Sequence, residues 1–210
     1  MSVVVRNILR VERRLATAFA EIGVATVHEA QNRTGEEREL PGAPIEPRVF
    51  TSTYFDSPDY RLARQGVTLR RRVERRKGLW QLKLPRGLAR LELEMPGGPG
   101  KPPARMQELL IAYLRNSTLA PVAKLRTRRR GVRVSNGESP VADVTLDQVA
   151  VVDDGKVRHS FREIEAELTN EGSEKDLKRL ERLLRKAGAN DSDARPKLFQ
   201  ALDLEPPETA

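Results

Sequence analysis

The run Arg162-Glu163-Ile164-Glu165-Ala166-Glu167-Leu168 constrains this chain more than any other, because carboxylates alternate strictly with other residues along it. On a β-strand successive side chains point to opposite faces, so Glu163, Glu165 and Glu167 line one surface. Three like charges on one face are costly unless cations sit among them. Two kinds of cation are on offer: a divalent metal, or arginines from other strands of the same chain. Either way, the strand borders a charged interior or groove.

Other segments supply strands of the same character. Strand patterns run over 49–55, 67–74, 79–85, 90–95, 123–130, 131–135, 141–152 and 156–168. The basic turn Arg75-Arg76-Lys77-Gly78 joins two of them into a hairpin. Helical spacing marks 11–24, 104–115 (stripe Leu109, Leu110, Tyr113, Leu114) and 174–187. Ser173 is the expected N-cap of the last helix, Gly188 its stop, and Leu177, Leu180, Leu183 and Leu184 its buried face. Residues 32–47 are polar and rich in Pro and Gly, which reads as a connector. Many consecutive strands, few helices and short turns make an α+β protein, an antiparallel sheet or barrel carrying two or three helices.

The polar faces of these strands carry the chemistry. Arg70 and Arg72 share a face, as do Gln81 and Lys83, and Asp143, Thr145 and Asp147. A barrel gives each strand one inward face, so charged faces turned inward make a polar lumen with basic and acidic walls. Guanidinium forks grip phosphate oxygens bidentately. Carboxylates in the same cavity suit Mg²⁺ or Mn²⁺, hard cations that take carboxylate and phosphate oxygens together. The combination points to metal-bound linear phosphate, whose transfer depends mainly on positioning and charge neutralisation.

The ordered set Tyr54-Phe55-Asp56-Ser57-Pro58, Leu69-Arg70-Arg71-Arg72, Trp80-Gln81-Leu82-Lys83, Leu146-Asp147, Glu163-Ile164-Glu165 and Pro196-Lys197-Leu198 resembles the CYTH superfamily, the triphosphate tunnel metalloenzymes, over residues 38–204. The resemblance implies a closed or nearly closed eight-stranded antiparallel β-barrel tunnel with two or three flanking helices. It implies metal-dependent hydrolysis of inorganic triphosphate or a related short polyphosphate. Arg70, Arg72, Lys83 and an arginine within 126–130 (Arg126 or, by alignment, Arg129) would bind phosphates, and Lys197 would close one end. Asp147, Glu163 and Glu165 would hold Mg²⁺ or Mn²⁺, with Glu163, Glu165 and Lys83 as the catalytic set.

Such domains begin with a Glu-x-Glu-x-Lys strand, and this chain departs from that pattern. Arg10-Val11-Glu12-Arg13-Arg14 keeps one glutamate, and Glu29-Ala30-Gln31-Asn32-Arg33 is equally altered. Residues 2–35, with Gly23-Val24-Ala25-Thr26-Val27-His28-Glu29-Ala30 and Arg33-Thr34-Gly35, are similar to the N-terminus of class II pyruvate aldolases of the 4-hydroxy-4-methyl-2-oxoglutarate type. The expected division is therefore an atypical helical leader (1–37), a tunnel domain (38–205) and a disordered tail (206–210). Removing the first strand would leave unpaired edges, so 3–8 or 25–30 is expected to pair into the gap. Loss of its glutamates also keeps alive a second reading, a module that binds polyphosphate or a nucleotide without cutting it.

Composition trims the alternatives. The net charge of +8 arises from 38 basic and 30 acidic residues, both signs interleaved with strand patterns rather than gathered in a tail. Aromatics make up only 4%, which argues against a single-stranded nucleic-acid platform. No apolar run approaches the ~20 residues of a membrane span, and the N-terminus lacks the form of a signal peptide. With no cysteine, disulfides and thiolate metal sites are excluded, which suits a reducing cytoplasm. Oligomeric state leaves no trace in the sequence.

Overall fold

Alternating strands become one antiparallel sheet in the computed structural model, which describes residues 2–4, 6–11, 42–86, 89–136, 139–190 and 195–205. In chain order these are β1 (Ser2–Val4), β2 (Arg6–Val11), β3 (Gly42–Asp56), β4 (Thr68–Glu74), β5 (Lys77–Arg86) and β6 (Ala89–Pro96), then helix α1 (Ala104–Leu114). There follow β7 (Ala120–Asn136), β8 (Ser139–Asp153), β9 (Lys156–Leu168), α2 (Glu174–Lys186), β10 (Ala189–Asn190) and α3 (Lys197–Leu202). The strand order is β1-β6-β5-β4-β3-β7-β8-β9-β2-β10. Among the described residues, the expected closed or nearly closed barrel of eight strands is thus corrected to a run of ten strands with β1 and β10 at its ends. The count rises because the N-terminal segment splits, β1 pairing with β6 and β2 with β9, and because Ala189–Asn190 adds to β2.

Several boundaries move. The segments read as two strands over 123–130 and 131–135 are one continuous strand, since Gly131 keeps its pairing with both Ile45 and Thr145. A Cβ at Gly131 would lie 2.7 Å from the Val144 carbonyl oxygen, so only glycine fits that close approach. The connector read over 32–47 is strand from Gly42 onward. Of the helix read over 11–24 only Val11 is described, and it ends strand β2; the rest of it and the candidate strand 25–30 lie outside the described residues, while the 3–8 candidate pairs in as β1 and β2.

Tight turns behave as their residues require. Arg75 and Arg76 both take positive φ (46° and 67°), and Asp154-Gly155 does the same (46° and 77°), the twist two-residue hairpins need. Asp56 explains the Tyr54-to-Pro58 motif structurally. Its buried carboxylate accepts from the backbone N–H of Ser57 (2.7 Å), Leu62 (2.9 Å) and Ala63 (2.9 Å), anchoring the turn that follows β3.

Apolar clusters dress the sheet. On the outer face α1 contributes Met106, Leu110 and Leu114, which pack on Phe55, Leu69, Leu82 and the fully buried Trp80. Also outside, α2 lays Leu177 and Leu180 on Val144, Leu146, Ile164 and Ala166. Each fully buried side chain of this size contributes roughly 1.5–3 kcal/mol relative to exposure. As expected, Ser173 caps α2, and it does so in a capping box with Asp176. The third cluster lies on the opposite, inner face, where α3 inserts Leu198 and Phe199 among Leu125, Val149, Val151 and Phe161. That helix carries Lys197 inward. No described helix is long and apolar enough to cross a membrane.

Candidate active site

Register places the charged residues on the inner face. Asp147 on β8 stands opposite Arg129 on β7 and Glu163 on β9, while Glu165 lies one inward step along β9. Cross-strand neighbours share a face, so these residues converge. Asp147, Glu163 and Glu165 are all buried, and one oxygen from each lies within 4.8 Å of the others. Arg129 forks onto Asp147 through Nε (2.7 Å) and Nη2 (2.7 Å) and also donates to Glu165. From α3, the Lys197 ammonium reaches all three carboxylates: Glu165 at 2.7 Å, Asp147 at 3.1 Å, and Glu163 closest.

Three carboxylates face two cations here, leaving an excess negative charge in a desolvated space. Burial is the chief reason that the Glu163 carboxyl is pushed up to about 7. Lys197 opposes the shift, and Glu165 and Asp147 reinforce it. For Lys197 burial alone would lower the pKa, but the surrounding carboxylates reverse that and hold the ammonium charged. Arg129 is raised for the same reason, by Asp147 and Glu165 against its burial.

The sign of the pH dependence follows. Between pH 4.5 and about 7 the unfolded chain releases the Glu163 proton while the folded protein keeps it, so stability falls as pH rises through this window. The full difference amounts to about 3 kcal/mol. Thermal melts of chelator-treated protein from pH 5 to 8 are expected to show a falling melting temperature, and Glu163→Gln should flatten the slope. An unchanged slope in that variant would assign the dependence elsewhere.

Phosphate-binding candidates sit further along the same wall. Arg70 donates to Gln81 Oε1 (2.7 Å) and to the Tyr54 hydroxyl (3.0 Å), both neutral groups. Arg72 stacks over the Phe50 ring at 4.0 Å and bonds Glu74 at 3.1 Å. Glu74 also takes the Arg48 fork, which holds its carboxyl down at about 2. Lys83 is buried and pairs with Glu92 at 2.6 Å.

The structure brings together Arg70, Arg72, Lys83, Arg129, Asp147, Glu163, Glu165 and Lys197. Arg126 is not among them. It is exposed on the outer face, because alternation along β7 turns Leu125, Thr127 and Arg129 inward and Lys124, Arg126, Arg128 and Arg130 outward. Among residues the sequence reading did not single out, Gln200 donates to the Arg195 carbonyl (2.7 Å) and approaches Glu163 (3.4 Å). Its place three residues after Lys197 on one helical face was the available signal. Glu92 and Glu94 on β6 accept from Lys83 and Gln81.

The donor set fits a hard divalent cation, since three buried carboxylates offer clustered oxygens. On β2 the positions opposite Glu165 and Glu163 are Ile8 and Arg10, so the first strand adds no carboxylate there.

Arginines and lysines thus surround an acidic cluster on the inner face of an antiparallel sheet. The CYTH domain profile matches residues 24–196, and the chain belongs to that family. It is 30% identical over 174 residues to the uncharacterised protein Rv2226 of Mycobacterium tuberculosis H37Rv, a match covering 74% of this chain and 34% of that protein. The chain thus spans about a third of the length of the curated relatives it matches. Among solved structures, the PH1819 protein of Pyrococcus horikoshii superposes with a TM-score of 0.56 at 17% identity, covering 95% of this chain and 98% of that one. HpAC1 of Hippeastrum, described as an adenylyl cyclase candidate with a dominant triphosphatase activity, superposes at 0.53 with 16% identity over the whole of both chains. These likenesses show the fold. The aldolase resemblance of residues 2–35 is not shown by any of them.

Proposed function

We propose that this chain hydrolyses inorganic triphosphate or a related short polyphosphate inside the tunnel, with Mg²⁺ or Mn²⁺ held by Asp147, Glu163 and Glu165. The observation that carries the reading is Arg70. Its half-buried guanidinium is bonded to two neutral oxygens, and a cation so placed is stabilised by an incoming phosphate. Arg72, Lys83 and Arg129 extend the clamp along the wall, and Lys197 closes the end that α3 plugs. Pairing of the N-terminal segment with both β6 and β9 supports closure of the walls into a tunnel, whose domain then takes in β1 and β2 besides residues 38–205. A divalent ion on the acidic trio would neutralise phosphate oxygens and acidify a bound water. The protein's own share is to orient the chain of phosphates and to keep bulk water out. The triphosphatase activity described for HpAC1 supports this substrate class.

Phosphate release from triphosphate, polyphosphate, thiamine triphosphate and ATP, each with Mg²⁺ or Mn²⁺, tests the proposal. Glu165→Gln should abolish metal-dependent release while the melting temperature stays near that of the wild type. Arg72→Ala should raise KM by about tenfold, the loss of one charged hydrogen bond. Unchanged kinetics would take Arg72 off the substrate. The absence of a β2 carboxylate opposite Glu163 and Glu165 favours a second reading, binding without cleavage. Tight triphosphate binding with no release from any substrate would establish that one.

A further inference from the structure

The outward face of β7 carries Lys124, Arg126, Arg128 and Arg130 in unbroken alternation, all exposed. The register extends this face across three strands. Arg128 pairs with Val49 on β3 and Gln148 on β8, and Gln148 with Arg162 on β9. Arg126 pairs with Thr51 and Ala150, and Ala150 with Ser160; Lys124 pairs with Thr53 and Val152, and Val152 with Val157. These rows hold four cations and no carboxylate. None of Lys124, Arg126, Arg128, Arg130 and Arg162 makes an ion pair among the described residues.

Elsewhere the same chain places acids beside its strand arginines: Arg48 with Glu74, Arg133 with Asp143, Arg158 with Asp153. On this face it does not, so a row of like charges stands against its own repulsion. Neither α1 nor α2 covers it, since they pack on β4–β5 and on β8–β9 beyond Gln148.

We infer that this outer face is a second polyanion site, which binds long-chain inorganic polyphosphate outside the tunnel. Side chains on one face of a strand recur every ~6.7 Å, so Lys124 to Arg128 spans about 13 Å, a straight track for a linear chain with one charge per phosphate. No aromatic ring lies in these rows to stack a base, and no described helix lies on the face to enter a groove, which disfavours nucleic acid. The inference rests on the tunnel reading only in preferring polyphosphate over other polyanions. Its consequence is capture: a long chain held on the wall keeps its ends near the tunnel at high effective concentration.

The test uses Lys124→Gln, Arg126→Gln and Arg128→Gln together, none of which lies in the tunnel. Binding of a polyphosphate of about a hundred units, followed across a salt series, should weaken by at least about tenfold in the variant, and the slope of log K against log salt should fall by about three. Triphosphate binding should be unchanged. On the wild type, saturating triphosphate should leave long-chain binding in place. Retained affinity and slope in the variant would overturn the inference, as would complete displacement of the long chain by triphosphate. Tighter binding of single-stranded or duplex DNA than of polyphosphate at equal salt would also overturn it, and make the face a nucleic-acid surface. Failure of the wild type to bind triphosphate would instead overturn the tunnel reading, leaving the salt comparison of wild type and variant to decide the outer face.

Discussion

Replacing Lys197 with alanine is expected to raise the affinity of the protein for Mn²⁺ by about tenfold to a hundredfold, equivalent to 1.4–2.8 kcal/mol. The Lys197 ammonium contacts Asp147, Glu163 and Glu165 together, at the point a divalent ion would share. An ion seated on these oxygens has to displace it or work beside it. Removing the ammonium frees the carboxylates and concentrates negative charge. The same substitution should destabilise the chelator-treated protein, since three buried carboxylates then face Arg129 alone. Titration calorimetry with Mn²⁺, paired with melts in chelator, reads both effects. A variant with unchanged or weaker Mn²⁺ affinity would show that Lys197 does not compete for the site.

Arg129→Ala should be the most damaging single change in the tunnel, at about 3–5 kcal/mol. Arg129 forks onto Asp147, which is fully buried, and donates to Glu165, so its loss strands both carboxylates. Triphosphate binding should fall with it. Because the deficit is one of positive charge, Mn²⁺ should recover more melting temperature in the variant than in the wild type. Arg129→Lys should restore charge but not the bidentate fork, and so return only part of the stability. Denaturant unfolding with and without Mn²⁺ distinguishes these outcomes. An Arg129→Ala protein as stable as the wild type would mean that the pairing is energetically neutral.

These two residues illustrate how differently parts of the site were legible. Alternation with period two, a local property that backbone geometry enforces, put Glu163 and Glu165 on one face and Asp147 on the polar face of another strand, and the family resemblance then singled out the three together. Arg70, Arg72 and Lys83 were readable for the same reason, each lying on a short strand with one clear polar face. Arg126 was not. In the run Arg126-Thr127-Arg128-Arg129-Arg130 every second residue of either parity is polar, so the pattern carries no phase, and the neighbours Leu125 and Asp147 had to set it. Gln200 was missed because its role depends on where a two-turn helix lands.

By itself the sequence determined that this is an antiparallel α+β protein with an acid strand facing a basic wall, since strand periodicity and like-charge repulsion act between near neighbours. It determined the α2 cap at Ser173 and the hairpin turn at Arg75-Arg76. Only the tertiary structure decided that the N-terminal segment supplies strands to both β6 and β9, because nothing local in Ser2–Val11 specifies a partner. Only it decided that α3 folds back to set an ammonium among three carboxylates, a contact across more than thirty residues. And only the register decided which arginines line the tunnel and which the outer face, because a slip of one residue exchanges the two sides of a strand.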